Sequence, residues 1–97
     1  GLGSTYFPPV LTFTDVTSEL YLDNCTIDYS PQPTAQTLSL TRGTIYINGN
    51  VNFISSNGQG TYQLGDGVSQ ANNVNIIILP GSKLILGAGV TLINKNI

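Results

Sequence analysis

The chain contains no histidine, no methionine, no tryptophan and only one cysteine among its 97 residues. Histidine is the usual proton carrier at neutral pH, and zinc centres are built from several cysteine and histidine ligands. The composition therefore excludes Ser-His-Asp and Cys-His catalytic sites and the usual zinc centres. Because Cys25 has no partner within the chain, we expect a buried thiol that packs as a small apolar side chain, with a disulfide to another subunit as the alternative.

Charged residues make up only 8% of the chain, whereas a typical soluble domain carries about 25%. The cations are Arg42, Lys83 and Lys95, too few to build a phosphate-binding surface, so no nucleic-acid partner is expected. No apolar run reaches the roughly 18 residues of a membrane helix, so no membrane insertion is expected. Low charge together with abundant Thr, Ser and Asn favours an extracellular or cell-surface location.

The carboxylates are the remaining candidates for catalysis or metal binding, and there are five: Asp15, Glu19, Asp23, Asp28 and Asp66. The pattern places them in turns or on outward-facing strand positions, where solvated side chains are ordinary. Asp66 lies in LGDGV, which resembles the Gly-Asp-Gly of calcium-binding β-rolls, but that motif must recur so that successive turns share an ion, and here it occurs once. We expect no catalytic residues, no metal and no cofactor.

Three segments of the chain share one layout of strand, turn, strand, turn and strand. They are LTFTDVTSELYLDNCTIDY (11–29), LSLTRGTIYINGNVNFIS (38–55) and IILPGSKLILGAGVTLIN (77–94). Side chains alternate between the two faces of a strand, so aligning the segments predicts ladders of inward apolar residues. The predicted core ladders are Leu20 with Ile45 and Leu84; Leu22 with Ile47 and Leu86; Ile27 with Phe53 and Leu92; Cys25 with Val51 and Val90; Leu11 with Leu38 and Ile77; and Phe13 with Leu40 and Leu79.

This recurrence predicts an all-β fold, a short right-handed parallel β-solenoid of about three turns in which each strand lies on its equivalent in the next turn. The alternative is an antiparallel β-sandwich, because Asn-Gly at 48–49 and at 57–58 is typical of hairpins. We expect one domain over 11–97, loops at 30–37 and 57–73, and no substantial helix. TYQL, 61–64, is either a further short strand or part of the second loop.

The repeats LYLDNCTI, IYINGNVNF and LILGAGVTL resemble the β-solenoid repeats of secreted and surface-exposed proteins, such as the passenger regions of bacterial autotransporters. The resemblance covers about 11–94 and is one of pattern, since neither GGAI nor FxxN, short signatures of one such passenger family, occurs in the chain. It implies a solenoid fold and a surface location, and it implies no specific activity.

Tyr21 and Tyr46 occupy equivalent outward positions on the second strands of the first two segments, and Ile85 takes that position in the third. We expect them to form a cross-strand packing ladder. Contact with another chain, or stacking of this aromatic pair on a sugar ring, are the alternatives.

A short coil leaves unpaired strand edges at both ends unless a cap covers them, and the sequence predicts no cap. Opposite charges concentrate at the two ends of the sequence: Asp15, Glu19, Asp23 and Asp28 in the first segment, and Lys83 and Lys95 in the last. Stacking the last turn of one copy on the first turn of the next would bring these charges together. Such a contact does not close on itself, so its product is a fibre.

The N-terminal arm, 1–10, contains Tyr6 and Phe7 ahead of Pro8 and Pro9, which interrupt strand pairing. We expect it either to add a strand to another subunit or to fold back as a cap. The first functional hypothesis is a structural subunit that assembles head to tail with identical copies into an extracellular filament or surface layer. The second is a non-catalytic glycan-binding or surface-binding module of a larger repeat adhesin.

Overall fold

The computed structural model describes residues 10–12, 15–31 and 34–97, which form ten β-strands and one short 3-10 helix. The strands are β1 (Val10–Thr12), β2 (Glu19–Asp23), β3 (Thr26–Asp28), β4 (Gln36–Thr41), β5 (Thr44–Asn48), β6 (Asn50–Ile54), β7 (Gly60–Leu64), β8 (Asn75–Ile78), β9 (Lys83–Leu86) and β10 (Thr91–Asn94), and the 3-10 helix is Gln70–Asn72. Within this part of the chain, no helix has the length and apolar character needed to cross a membrane.

The strands form three parallel sheets, and the chain visits them in strict rotation. The first sheet has the order β1-β4-β7-β10, the second β2-β5-β8 and the third β3-β6-β9. Each turn of the coil therefore adds one strand to each sheet, and every recorded strand pair is parallel. The prediction of a short parallel β-solenoid is confirmed, and the antiparallel sandwich is wrong.

Two corners of the coil require glycine because an asparagine from a neighbouring turn lies against them. Gly49 has a φ of +71°, and a side chain there would overlap the carboxamide of Asn24. That carboxamide is fixed, since Asn24 Oδ1 accepts a hydrogen bond from the backbone N–H of Asn50 at 3.0 Å. Gly65, with a φ of +75°, meets Asn96 in the same way. Glycine adopts positive φ without strain, so each corner can be both sharp and tightly packed.

The hydrophobic core lies inside the coil, where the inward faces of the three sheets meet. Most of its buried side chains come from the middle turn, β4 to β6, because that turn has a neighbour on each side. The buried apolar residues are Tyr29, Leu38, Leu40, Ile45, Ile47, Val51, Phe53, Tyr62 and Val74. Partly buried side chains from the first and last turns pack against this cluster.

Tyr62 on β7 joins the sheets at the centre of the core. Its ring stacks on Phe53 with centroids 4.7 Å apart and meets Tyr29 edge to face at 6.2 Å. Its hydroxyl lies 2.7 Å from the backbone oxygen of Ile54 and 3.0 Å from that of Ile27, and it accepts a hydrogen bond from the Tyr29 backbone N–H at 3.2 Å. A fully buried hydroxyl is thereby satisfied by backbone groups of two turns.

The register corrects the predicted ladders in the third turn. Leu20 pairs with Ile45, and Leu22 with Ile47, as predicted, but the continuing residues are Ile76 and Ile78. Leu84, Leu86 and Leu92 belong elsewhere: they pair with Val51, Phe53 and Tyr62, respectively. The physical reason is that β7 is the first strand of the third turn. β8 and β9 therefore lie in the second and third sheets, one sheet later than the predicted ladders require.

The observed register and strand bounds also correct other predicted ladders and the predicted loop boundaries. Leu11 pairs with Leu40 instead of Leu38, and Ile77 pairs with Tyr46, so neither belongs to the predicted Leu11 ladder. The predicted partner Phe13 lies outside the described residues. β7 and the 3-10 helix lie within the predicted 57–73 loop, and β4 begins inside the predicted 30–37 loop. Val10 is already part of β1, and the rest of the predicted arm lies outside the described residues.

Candidate functional site

The two ends of the coil are the candidate site, because the described strands there have unpaired edges. We call β1, β2 and β3 the first-turn end, and β8, β9 and β10 the last-turn end. In the sheet orders, every one of these strands is the outermost member of its sheet. Within the described residues, each therefore has one edge paired in a ladder and one edge without a strand beside it. Such edges can accept a further parallel strand.

The last-turn end exposes side chains that belong to core ladders. Ile78 follows buried Ile47 in its ladder and is 50% exposed, and Leu86 follows buried Phe53 and is 42% exposed. The side chains face the same interior as their buried partners, so their exposure results from their position at the end of the stack. An apolar surface of this kind favours contact with another apolar surface.

The first-turn end is also apolar on its inner side. Leu20, Leu22 and Ile27 are partly buried against the core, and Cys25, a free cysteine, is partly buried beside them. A cavity of about 30 Å³ lies under these side chains. It is lined by Leu20, Leu22, Ile27, Leu38, Leu40, Ile45, Phe53 and Tyr62. An apolar lining provides no hydrogen-bonding groups to orient a polar substrate, so the cavity fits a packing defect near the open end better than a substrate site.

Outward-facing charges differ in sign between the two ends. Glu19 and Asp23 are exposed at the first-turn end, on β2, and Lys83 is exposed at the last-turn end, on β9. Lys95, just after β10, is also exposed. Asp15 lies between β1 and β2 and Asp28 ends β3, so these two acidic residues also belong to the first turn, whereas Tyr6 and Phe7 lie outside the described residues.

Asp15 and Asp28 act as hydrogen-bond acceptors that fix local structure. The backbone N–H and then the hydroxyl of Thr17 hold the pKa of Asp15 below its ordinary value. The Ser30 hydroxyl, followed by the hydroxyl and backbone N–H of Ser56, does the same for the pKa of Asp28. Both carboxylates are therefore ionised at neutral pH, whereas a general acid requires a raised pKa.

Asp66 organises the loop between β7 and β8. Its carboxylate accepts hydrogen bonds from the backbone N–H groups of Val68 and Ser69, at 2.8 and 3.1 Å, and from the Asn72 carboxamide at 2.5 Å. These bonds, with that of Val68 first, hold the pKa of Asp66 below its ordinary value. Among the described residues no group of three or more His, Cys, Asp or Glu side chains comes together. The resemblance of LGDGV to a calcium-binding repeat is explained by this loop geometry.

Tyr21 and Tyr46 form a stacked pair on the outer face of the second sheet. Their ring centroids are 4.5 Å apart with an interplanar angle of 9°, and Tyr21 is 60% exposed. The Tyr46 hydroxyl donates to Glu19 at 2.8 Å, and this hydrogen bond raises the pKa of Tyr46. Ile77 continues the ladder, and the prediction of Ile85 is wrong. The pair therefore places an exposed aromatic ring beside a carboxylate on the outer face of the coil.

Sequence reasoning missed Ile76 and Ile78 as members of the last-turn end. The available signal is the unbroken apolar run from Ile76 to Leu79 directly before Pro80, which fits a first strand of the repeat as well as a second one. A two-residue alternation identifies a strand but not the sheet to which it belongs, so this error could not be corrected without the register.

Comparison of the chain with known protein families, with curated proteins and with solved structures found no match in any of the three.

Proposed function

We propose that the protein is a non-catalytic structural subunit that assembles head to tail with identical copies into an extracellular filament or surface layer. In this assembly the last-turn end of one copy stacks on the first-turn end of the next. The single observation that carries the proposal is the exposure of Ile78 and Leu86, two core-ladder residues, at the open last-turn end.

The energetics favour covering both ends at once. Fully burying an Ile or Leu side chain stabilises by about 1.5–3 kcal/mol, so covering the exposed halves of Ile78 and Leu86 contributes about 1 kcal/mol each. The strand edges at the two ends gain parallel ladder hydrogen bonds in the same contact. Both contributions, apolar burial and parallel hydrogen bonding, are the same interactions that hold successive turns together within one copy.

The direction of assembly follows from the shape of the two ends. The last-turn end and the first-turn end are different surfaces, so their contact is heterologous. Because the two ends lie at opposite ends of the coil axis, copies that stack along this axis do not close into a ring and form a filament. Lys83 at one end and Glu19 at the other supply opposite charges. An exposed ion pair contributes about 0–1 kcal/mol, so we assign the charges a role in selecting direction and the apolar ladders most of the affinity.

Negative-stain electron microscopy and light scattering of the purified 97-residue chain test this proposal. We expect regular unbranched fibres from the wild type and loss of fibres on Leu86→Asp, because the charge would enter the apolar contact. Val68→Asp is the matched control: Val68 is 82% exposed and lies in the loop between β7 and β8, outside the strands of the two ends. A wild-type chain that stays monomeric at high concentration, or equal loss of fibres in both variants, would contradict the proposal.

A glycan-binding role is the second candidate, and the exposed stack of Tyr21 on Tyr46 is the observation that favours it. In that role Tyr21 would pack against the face of a sugar ring, and Glu19 would accept hydrogen bonds from its hydroxyl groups. A glycan array probed with the wild type and with Tyr21→Ala tests it. Binding that Tyr21→Ala abolishes supports the role, and no binding to any glycan rejects it.

A further inference from the structure

The number of strands in the coil restricts how two copies can stack. The described structure has ten strands distributed over three sheets, so the first sheet has four strands while the second and third have three. The last-turn end is therefore stepped: β10 already begins a fourth turn, in the first sheet. If the next copy stacked with each sheet on its own counterpart and placed its β2 against β8, the position needed by its β1 would be filled by β10.

We propose that successive copies stack with a rotation of one sheet about the coil axis. The β1 strand of the next copy then pairs with β8, its β2 with β9, and its β3 with β10, so that the coil continues without a gap. This inference rests on the head-to-tail function proposed above and names the strand pairs that form the contact.

The lengths of the corners fit this arrangement. Within one copy, the β2–β3 corner packs on the β5–β6 corner, whose three residues, 48–50, separate Ile47 from Val51. At the last-turn end, three residues, 87–89, likewise separate Leu86 from Val90. The β9–β10 corner thus offers a stacking surface of the same length, on which Leu22 of the next copy lies over Leu86 and its Cys25 over Val90.

The outward residues of the same register bring opposite charges together. With Leu20 of the next copy over Leu84, the preceding residues, Glu19 and Lys83, are direct neighbours on the outer face. Both side chains are exposed in the single copy. In the unrotated arrangement Glu19 would lie against Asn75 instead, and Lys83 against Asn24. Directly facing opposite charges stabilise a strand pair, so the charges favour the rotated register.

Rotated stacking also fixes the symmetry of the filament. Ten strands in a three-sheet coil make three and one-third turns, and adjacent strands lie about 4.8 Å apart, so each copy advances the filament by about 16 Å and turns it by about 120°. Unrotated stacking on three turns would give a rise of about 14 Å with no rotation. These helical parameters can be measured by cryo-electron microscopy.

Disulfide trapping with the native Cys25 tests the register directly. Rotated stacking places Cys25 of the next copy beside Val90 of the preceding one, and unrotated stacking places it beside Leu84 of the preceding one. Val90→Cys and Leu84→Cys are prepared separately, assembled, and treated with oxidised glutathione, which accepts the two electrons and two protons of the thiol pair. Within one copy Val51 separates Cys25 from Leu84 by two strand spacings, about 10 Å, which is beyond the reach of a disulfide.

We expect Val90→Cys to give covalent dimers and longer cross-linked oligomers on non-reducing gels, and Leu84→Cys to give no cross-linked product. Removing the native thiol from the first variant, as Cys25→Ser with Val90→Cys, should abolish these products. Cross-linked oligomers from Leu84→Cys alone would overturn the rotated register while leaving head-to-tail assembly intact. Fibres that form without cross-links in either variant would have the same meaning. The absence of both fibres and cross-links would remove the proposed function together with this inference.

Discussion

Replacing Tyr62 with phenylalanine removes one oxygen atom from the centre of the core and leaves the aromatic ring in place. The ring keeps its stack on Phe53 and its edge contact with Tyr29. What disappears is the hydroxyl, which lies within hydrogen-bonding distance of two backbone oxygens and accepts from one backbone N–H. The substitution therefore isolates the polar link between turns from the packing of the core.

The expected loss of stability is about 1–2 kcal/mol. A hydrogen bond between buried groups contributes about 1 kcal/mol net, and leaving a buried partner unsatisfied costs about 1–3 kcal/mol. The loss lies toward the lower part of this range because the Tyr29 N–H also donates to the Ile54 oxygen at 3.0 Å, so those two groups keep each other as partners. For a domain of this size, about 1.5 kcal/mol corresponds to a decrease in Tm of about 6–12 °C.

Urea unfolding followed by circular dichroism in dilute solution measures this loss. We expect Tyr62→Phe to lower the midpoint without changing the m value, because the surface exposed on unfolding is nearly the same. Tyr46→Phe is the control, since it removes a hydroxyl whose hydrogen bond to Glu19 is exposed, and it should change the free energy of unfolding by less than about 0.5 kcal/mol. Equal effects of the two substitutions would refute the assignment of Tyr62 as a structural link.

Three further substitutions test other parts of the fold. Gly49→Ala should destabilise by more than Gly58→Ala, because both have positive φ but only the first meets a neighbouring side chain, and chemical denaturation compares them. Asp28→Asn should flatten the fall of Tm below about pH 4, since the stabilisation from a lowered carboxyl pKa is present above its ordinary value of 3.8 and is lost as the pH falls through the lower, folded-state value. Ile47→Val should cost about 1 kcal/mol in dilute solution, and Ile78→Val, in the same ladder but half exposed, less than about 0.5 kcal/mol; equal costs would place Ile78 in a closed core.

The strands of the first two turns could be predicted from local information. Alternating apolar residues, with turn residues between them, identify β2, β5, β3 and β6, and they correctly pair Leu20 with Ile45 and Tyr21 with Tyr46. These pairs follow from the sequence because short corners leave little freedom in how one strand leads to the next. The parallel fold class follows from the recurrence of the layout.

The third turn could not be predicted in the same way. The alternation in β8 and β9 is equally compatible with any of the three sheets, since a period of two residues carries no information about which sheet a strand joins. The assignment is decided by β7, which pairs with β4 as the first strand of the third turn and places Tyr62 against Phe53 across the core. That contact joins two strands on different sheets and has no signature in the spacing of either.

For the candidate site, too, some features follow from the sequence and others only from the tertiary structure. The sequence alone determined which charges lie early and late in the chain, and the chemistry that the chain lacks. Only the tertiary structure decided that Ile78 and Leu86 are exposed whereas Ile47 and Phe53 are buried, although all four are apolar residues on short strands. Burial depends on how many turns lie above and below a side chain. That number is a property of the whole stack of strands, and a local sequence pattern does not contain it.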